Sequence, residues 1–138
     1  MLVDLGHRAD EPAVRELLAR AIGRPTAERL AEATRGYAGK TWRLLGVSDD
    51  IGAVVGLIGL ELLTRDTAAI RHIAVAEPRR LEGLGRRLIL EARDQLGVSR
   101  LEAETDSRAV DFYRRCGFSI ASASPRGGRE RFLCTLDR

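Results

Sequence analysis

The chain has 138 residues and a formal net charge of +3, and 31% of its residues are charged. This length suits one domain over residues 1–138, and so small a charge excess does not indicate a nucleic-acid-binding protein. No apolar stretch approaches the ~18 residues of a membrane-spanning helix, so we expect no membrane partner. Residues 1–6 lack the basic start and apolar core of a signal peptide, and we therefore expect a cytoplasmic location.

The first half of the chain predicts two helices followed by three strands. Apolar residues at helical spacing predict a helix over residues 10–22. A second helix is predicted over residues 26–34, with Pro25 at its start and Gly36 at its end. Apolar runs between polar turns then predict strands over residues 42–47, 54–62 and 66–75.

A glycine turn follows the third strand and precedes a helix. Residues 80–85 have the sequence Arg-Leu-Glu-Gly-Leu-Gly, and the apolar spacing from Leu84 onward predicts a helix that closes at Gly97. Glycines let the backbone approach a ligand closely, and the first N–H groups of a helix have no intrahelical partner. The turn is therefore a candidate anion cradle.

Other phosphate-binding motifs fit this turn poorly. A P-loop needs four residues between its glycines and a Lys-Ser/Thr pair after the second, which the chain lacks. A dinucleotide-binding fingerprint needs a small residue where Leu88 stands, although Glu102 and Glu104 lie near the distance of a ribose-binding carboxylate. The plainest alternative is that Gly83 and Gly85 only terminate a turn. Four neighbouring arginines suit a polyanionic small molecule, namely Arg79, Arg80, Arg86 and Arg87.

The last third of the chain predicts a strand, a helix and a hairpin. Residues 100–104 alternate as a strand, and Asp106 is placed to cap the helix that carries Phe112 and Tyr113. The pattern predicts hairpin strands over residues 118–123 and 131–136, with a flexible tip at residues 124–128. This order of elements indicates an α+β, or mixed α/β, fold around one sheet.

The two cysteines point to structural thiols. Cys116 and Cys134 are too few for a disulfide framework or a metal site, so we expect no metal and two buried free thiols. Cys116 is a weak candidate for a nucleophile, because His7 and His72 supply no evident base with an orienting partner.

Two segments together resemble one protein family. The R-x-x-G-x-G turn of residues 80–85 follows an Ile-Ala-Val strand end, and residues 109–118 have the pattern A-x-x-F-Y-x-x-x-G-F. The pair resembles the GNAT acyltransferase superfamily. The resemblance implies a mostly antiparallel central sheet of about six to seven strands, flanked by about four helices, in one N-acetyltransferase domain.

The resemblance also implies where acetyl-CoA binds as co-substrate. The pantetheine is expected along the strand before the glycine turn and the pyrophosphate on the turn itself. Asp106 stands where the family often has a cofactor-contacting asparagine. The implied binding residues are Ile73, Ala74, Val75, Arg80, Leu81, Glu82, Gly83, Leu84, Gly85, Arg86, Asp106 and Tyr113.

The catalytic residues implied by the resemblance are an acid and a base. Tyr113 matches the tyrosine that protonates the departing thiolate, and a phenol with a pKa near ~10 is protonated at neutral pH. The alternative is an ordinary core aromatic. Ala69 replaces the family's usual basic carboxylate, so Glu61 and His72 are the candidate bases, unless Glu61 only ends a strand and His72 is structural.

These residues predict an acetyl-CoA-dependent N-acetyltransferase in which a primary amine attacks directly in a ternary complex. The sequence does not distinguish among small amines, polyamines, antibiotics and protein N-termini as the acceptor. It also does not decide between a monomer and a homodimer. The acceptor pocket is expected from residues 25–41 and 124–130. A non-catalytic acyl-CoA sensor is the main alternative, supported by Ala69, and an arginine-rich nucleic-acid binder is the third.

Overall fold

The computed structural model describes residues 1–39, 41–76 and 83–138. A short strand β1 (Val3–Asp4) and a 3-10 helix (Gly6–Arg8) precede two helices, α1 (Pro12–Ile22) and α2 (Ala27–Ala38). Three strands follow, and then helices and strands alternate. They are β2 (Arg43–Ser48), β3 (Val54–Leu62), β4 (Thr67–Val75), α3 (Leu84–Leu96), β5 (Arg100–Asp106), α4 (Val110–Arg115), β6 (Ser119–Arg126) and β7 (Arg129–Asp137).

The strands form one seven-stranded sheet in the order β1-β2-β3-β4-β5-β7-β6. Every neighbouring pair is antiparallel except β4 and β5, which are parallel. The predicted mixed fold with a mostly antiparallel sheet and four flanking helices is confirmed. None of the helices in the described part of the chain has the length and apolar character needed to cross a membrane.

The sheet separates two apolar cores. Alternate residues of β4, Ala68 and Ile70, face the core formed with α3 and α4. Leu57 of β3 faces the other core, formed with α1 and α2. Helices α1 and α2 contact the sheet at β3 and β4, so the same face of β5, β7 and β6 is left open beside them. That open face positions the candidate site.

Helix α2 is longer than predicted. It begins as expected after Pro25, where the Thr26 hydroxyl accepts a hydrogen bond from the Arg29 N–H at 3.1 Å. It does not end at Gly36 but continues to Ala38, so that prediction is wrong. The Trp42 ring packs on the helix there, and a Cβ on Gly36 would lie 2.6 Å from its Cζ3 atom. Gly36 therefore admits an aromatic ring rather than ending the helix.

Two predictions in the last third are also wrong. Asp106 does not cap α4, because the residue before that helix is Ala109 and no side chain caps it. The Asp106 carboxylate instead accepts the Arg108 N–H at 2.9 Å. The hairpin tip is shorter than residues 124–128, since β6 extends to Arg126 and only Gly127 and Gly128 form the turn. Both adopt positive φ, of 61° and 74°, which suits a two-residue hairpin.

Candidate active site

The sheet opens between β4 and β5. The two strands pair only over residues 67–69 and 100–102. Beyond these positions, no other described strand pairs with this edge of β4. Residues 71–76 are consequently exposed or half-buried, although β4 is the middle strand of seven. An open strand edge can pair with an extended ligand, and Ile73, Ala74 and Val75, the predicted pantetheine contacts, lie along it.

A β-bulge distorts β4 at the start of this opening. Gly59 of β3 lies opposite His72 and Leu60 lies opposite Ile70, so Arg71 has no partner on β3. A bulge bends its strand and redirects side chains. Here Arg71 and His72 both reach the aromatic side chains on the α2 face of the sheet. The bulge therefore brings two adjacent polar side chains to the opening.

The start of α3 lies near the other end of the opening, because Leu88 of this helix packs at Gly56, which pairs with Val75 at the end of β4. Gly83 precedes the helix with φ of 78°, and its carbonyl accepts the Arg87 N–H at 3.1 Å. The first N–H groups of α3 have no intrahelical partner. Leu84, Gly85 and Arg86 lie in this first turn, whereas the predicted contacts Arg80, Leu81 and Glu82 lie outside the described residues.

Gly85 lets α3 and α4 approach each other. A Cβ at this position would lie 2.8 Å from Cε1 and 2.9 Å from Cζ of Phe112. The glycine therefore has a packing role on the side of the helix that faces α4. This is consistent with Phe112 being a packing residue.

A matched pair of glycine variants tests the cradle. Gly83 and Gly97 bracket α3, both adopt left-handed φ, and among the described residues neither has an atom within 4 Å of an added Cβ. Alanine should therefore cost about 1–2 kcal/mol of backbone strain at either position, measured by urea unfolding. Only Gly83→Ala should weaken acetyl-CoA binding in a calorimetric titration. Equal affinity in both variants would remove Gly83 from the binding site.

Tyr113 is buried on the α3–α4 face of the sheet. Its ring packs edge to face against Phe112 and Phe118, each with a centroid distance of 5.2 Å. Burial raises the pKa of its hydroxyl well above the usual value, and the nearby Cys134 and Cys116 thiols add to that effect. Tyr113 is therefore protonated at neutral pH, as a proton donor must be.

An aromatic cluster of Tyr37, Trp42 and His72 lies on the opposite face. The Tyr37 hydroxyl is 2.5 Å from His72 Nδ1, and the two rings pack edge to face. Trp42 packs against both, and the Arg71 guanidinium lies 4.5 Å from the Trp42 ring centroid. Burial, and secondarily the Arg71 charge, lowers the pKa of His72 to about 4, so the imidazole is neutral.

Glu61 occupies a different position. It lies on β3 opposite Ala69 and forms an ion pair with Arg71 at 3.5 Å. Its strand is separated from the β4–β5 opening by β4. The structure therefore places His72, and not Glu61, on the strand that borders the opening.

Two pockets connect the cluster with the opening. The first, here called the histidine pocket, has a volume of about 220 Å³ and is lined partly by Arg29, Trp42 and His72. The second, the gap pocket, has about 330 Å³ and contains Ala69, Glu102 and Glu104. Both include Arg71, so they adjoin each other.

The sequence did not single out Tyr37 or Trp42. Residues 25–41 were expected to contribute to the acceptor pocket, and the position of Tyr37 is consistent with that. The bond between Tyr37 and His72 was not predictable, because it depends on packing between α2 and β4. The glycines were a usable signal in the sequence, because the Trp42 ring packs on Gly36 and the Tyr37 ring packs on Gly59.

The cysteines have no catalytic arrangement. Cys116 and Cys134 are both buried free thiols, as predicted. Burial raises the pKa of both, which reduces the thiolate fraction at neutral pH. Within the described ranges, no group of three or more His, Cys, Asp or Glu side chains could hold a metal ion.

Comparisons with known proteins point to one family. A family model described as an acetyltransferase (GNAT) domain matches residues 40–120. No curated protein matches the sequence. A putative GNAT-family acetyltransferase from Desulfovibrio desulfuricans is 24% identical with a TM-score of 0.80, covering 99% of this chain and 98% of that one.

Two further solved structures have the same fold. A GNAT-family acetyltransferase from Elizabethkingia anophelis with acetyl-CoA bound is 19% identical with a TM-score of 0.72, covering 100% and 97% of the two chains. The ribosomal-protein-S18-alanine N-acetyltransferase from Escherichia coli is 21% identical with a TM-score of 0.74, covering 99% and 92%. Similarity at these identities establishes the fold and not the acceptor.

Proposed function

The chain belongs to the GNAT acetyltransferase family, and from that premise we propose that it transfers an acetyl group from acetyl-CoA to a primary amine by direct attack. The observation that carries this proposal is the opening between β4 and β5, which has the N-terminus of α3 at one end. An extended, polyanionic thioester matches both features.

The described residues fit acetyl-CoA in two respects. The free edge of β4 offers main-chain groups to the pantetheine at Ile73, Ala74 and Val75. The glycine-led first turn of α3 offers N–H groups to a phosphate at Gly83 and Gly85. Acetyl-CoA supplies the activated acyl group, whereas the protein holds and orients it beside the amine.

We assign Tyr113 as the general acid for the departing thiolate. Its raised pKa keeps the proton on the hydroxyl at neutral pH, so the group is a donor when negative charge develops on the leaving sulfur. Direct attack is favoured over an acetyl-cysteine intermediate because Cys116 is buried and its thiol pKa is raised.

We assign His72 as the general base that accepts the proton of the attacking amine. In the tautomer that we assign, Nδ1 donates to the Tyr37 oxygen and Nε2 keeps its lone pair for the amine or an intervening water. Tyr37 thus orients the imidazole. We assign Glu61 to holding Arg71 rather than to proton transfer, since the two form an ion pair.

The test of the proposed function is the release of coenzyme A thiol from acetyl-CoA. Purified protein should release thiol at a rate that depends on a primary amine, and the N-acetylated amine should form in equal amount. Slow hydrolysis that is unaffected by every amine would contradict the proposal.

Two variants distinguish the candidate bases. His72→Asn keeps a polar atom near Tyr37 and should lower kcat by about 10²-fold. Glu61→Gln should change kcat by no more than about fivefold, because exposed ion pairs contribute little. The reverse order of effects would assign the base to Glu61.

The pH profile gives an independent check on His72. Its folded-state pKa lies below the ordinary value, so the base stays deprotonated as pH falls until it approaches about 4. The acidic limb of kcat/KM should therefore follow the pKa of the acceptor amine and shift when the amine is changed. A fixed limb near pH ~6.5 would indicate an imidazole with an unperturbed pKa and contradict this assignment.

A further inference from the structure

A third pocket, here called the arginine pocket, adjoins the acceptor side of the opening. It has a volume of about 390 Å³ and lies between the α1–α2 connection and the β6–β7 hairpin. Its lining includes six arginines but one carboxylate, Asp106. The arginines come from three separate parts of the chain, and they are Arg24, Arg29, Arg108, Arg126, Arg129 and Arg131.

Most of this positive charge is not neutralised within the protein. Arg126 and Arg131 share Glu104, at 3.4 and 3.3 Å. The other four arginines form no ion pair among the residues that the structure describes. Like charges gathered in a concave surface favour an anionic ligand, and guanidinium groups pair bidentately with phosphate and carboxylate.

The pocket is continuous with the place where the amine must react. It shares Ile22 and Arg29 with the histidine pocket and shares Arg126 and Arg131 with the gap pocket. The gap pocket has a mixed charge, because Glu102 and Glu104 lie there on the open face of β5 together with Arg71, Arg126 and Arg131. Glu104 pairs with Arg126 and Arg131, whereas Glu102 forms no ion pair among the described residues.

We propose that the acceptor is a small primary amine that also carries an anionic phosphate or carboxylate group. The ammonium end is attracted by Glu102, which lies opposite Ala69 at the β4–β5 opening, and the anionic end is held by the arginine pocket. This inference rests on the proposed function, because it specifies the acceptor of the same reaction.

Two pairs of amines separate the sources of the anion. Phosphoethanolamine is compared with ethanolamine, and β-alanine with β-alaninamide, in the thiol-release assay at saturating acetyl-CoA. The anionic member of at least one pair should have a kcat/KM about 10-fold or more above its neutral partner. The pair with the larger ratio identifies phosphate or carboxylate as the recognised group.

Arginine variants test whether the arginine pocket binds the anionic group of the acceptor. The double variant Arg29→Gln/Arg129→Gln should raise KM for the anionic acceptor about 10-fold or more, with little change in kcat and little change for the neutral amine. Arg65→Gln removes an exposed arginine of the β3–β4 turn that lines none of the three pockets, and it should leave both substrates unaffected.

The outcomes distinguish this inference from the proposed function. Equal or better use of the neutral amines, or turnover of no member of either pair, overturns the inference. The inference is also overturned if the double variant raises KM equally for charged and neutral acceptors. Failure of the proposed function is recognised separately, because thiol release would then be unaffected by every primary amine, including amines that carry no anionic group.

Discussion

Replacing Tyr113 by phenylalanine should lower kcat for acetyl transfer by about 10²- to 10⁴-fold, the range typical of general acid catalysis. The ring and its edge-to-face contacts with Phe112 and Phe118 remain in the variant. No hydrogen bond among the described residues uses the hydroxyl, so its loss removes a proton donor and little else. The measurement is kcat with a saturating amine, together with KM for acetyl-CoA.

Two controls separate this effect from a structural one. The urea midpoint of Tyr113→Phe and its affinity for acetyl-CoA should both stay close to the wild-type values. An acyl donor with a more acidic leaving thiol needs less protonation and should recover part of the lost rate. An unchanged kcat in the variant would show that Tyr113 is only a core aromatic.

Replacing Gly59 by alanine should destabilise the fold by about 3 kcal/mol, at the upper end of typical overpacking effects. A Cβ at this position would overlap the Tyr37 hydroxyl and lie 2.9 Å from its Cε1 atom. Tyr37 is fully buried, with 2% of its surface exposed, so its ring has no free space to enter. The variant should also lose the Tyr37–His72 contact and therefore acetyl-transfer activity.

Gly56 supplies the matched control on the same strand. A Cβ there would come close to two side-chain ends, Leu88 Cδ1 at 3.2 Å and Val47 Cγ1 at 3.3 Å, and would lie at an ordinary 3.6 Å from the Ala74 carbonyl oxygen. Gly56→Ala should cost about 1 kcal/mol or less, because these ends can shift by a few tenths of an ångström. Urea unfolding of both variants gives the comparison. Equal stability of the two would contradict the proposed close packing of Tyr37 on β3.

Six of the seven described strands were predictable because their signals are local, whereas the short strand β1 was not predicted. A mainly apolar run predicted a strand over residues 54–62, and β3 has these bounds. Helix α1 begins two residues later than predicted, at Pro12, whose fixed φ suits the first turn. Such features depend on residues that are neighbours in sequence.

The errors arose where distant residues decide the local structure. Gly36 has the sequence character of a helix end, but the Trp42 ring packs against it and α2 continues. Asp106 has the character of a helix cap, but β5 extends to it and its carboxylate turns back to Arg108. Packing against Trp42 outweighed the local preference at Gly36, whereas at Asp106 the pairing with Arg131 of β7 and a local bond to the Arg108 N–H took the place of a cap.

The candidate site was predictable in part. The glycine turn and the position of Tyr113 followed from short motifs, whereas the His72–Tyr37 contact and the arginine pocket required the three-dimensional fold. Arginines at positions 24, 108 and 129 are separated by long stretches of sequence, so no pattern within the chain shows that they share one pocket.

The most direct test of the central claim is the thermal stability of the protein with acetyl-CoA, compared with NAD and ATP. At ~100 times its dissociation constant, a ligand adds ~2.7 kcal/mol of stability, which corresponds to a rise in Tm of about 10 °C for a chain of this size. We expect this rise with acetyl-CoA and a much smaller one with NAD or ATP. No shift with acetyl-CoA, or an equal shift with all three ligands, would contradict an acetyl-CoA site between β4, β5 and the start of α3.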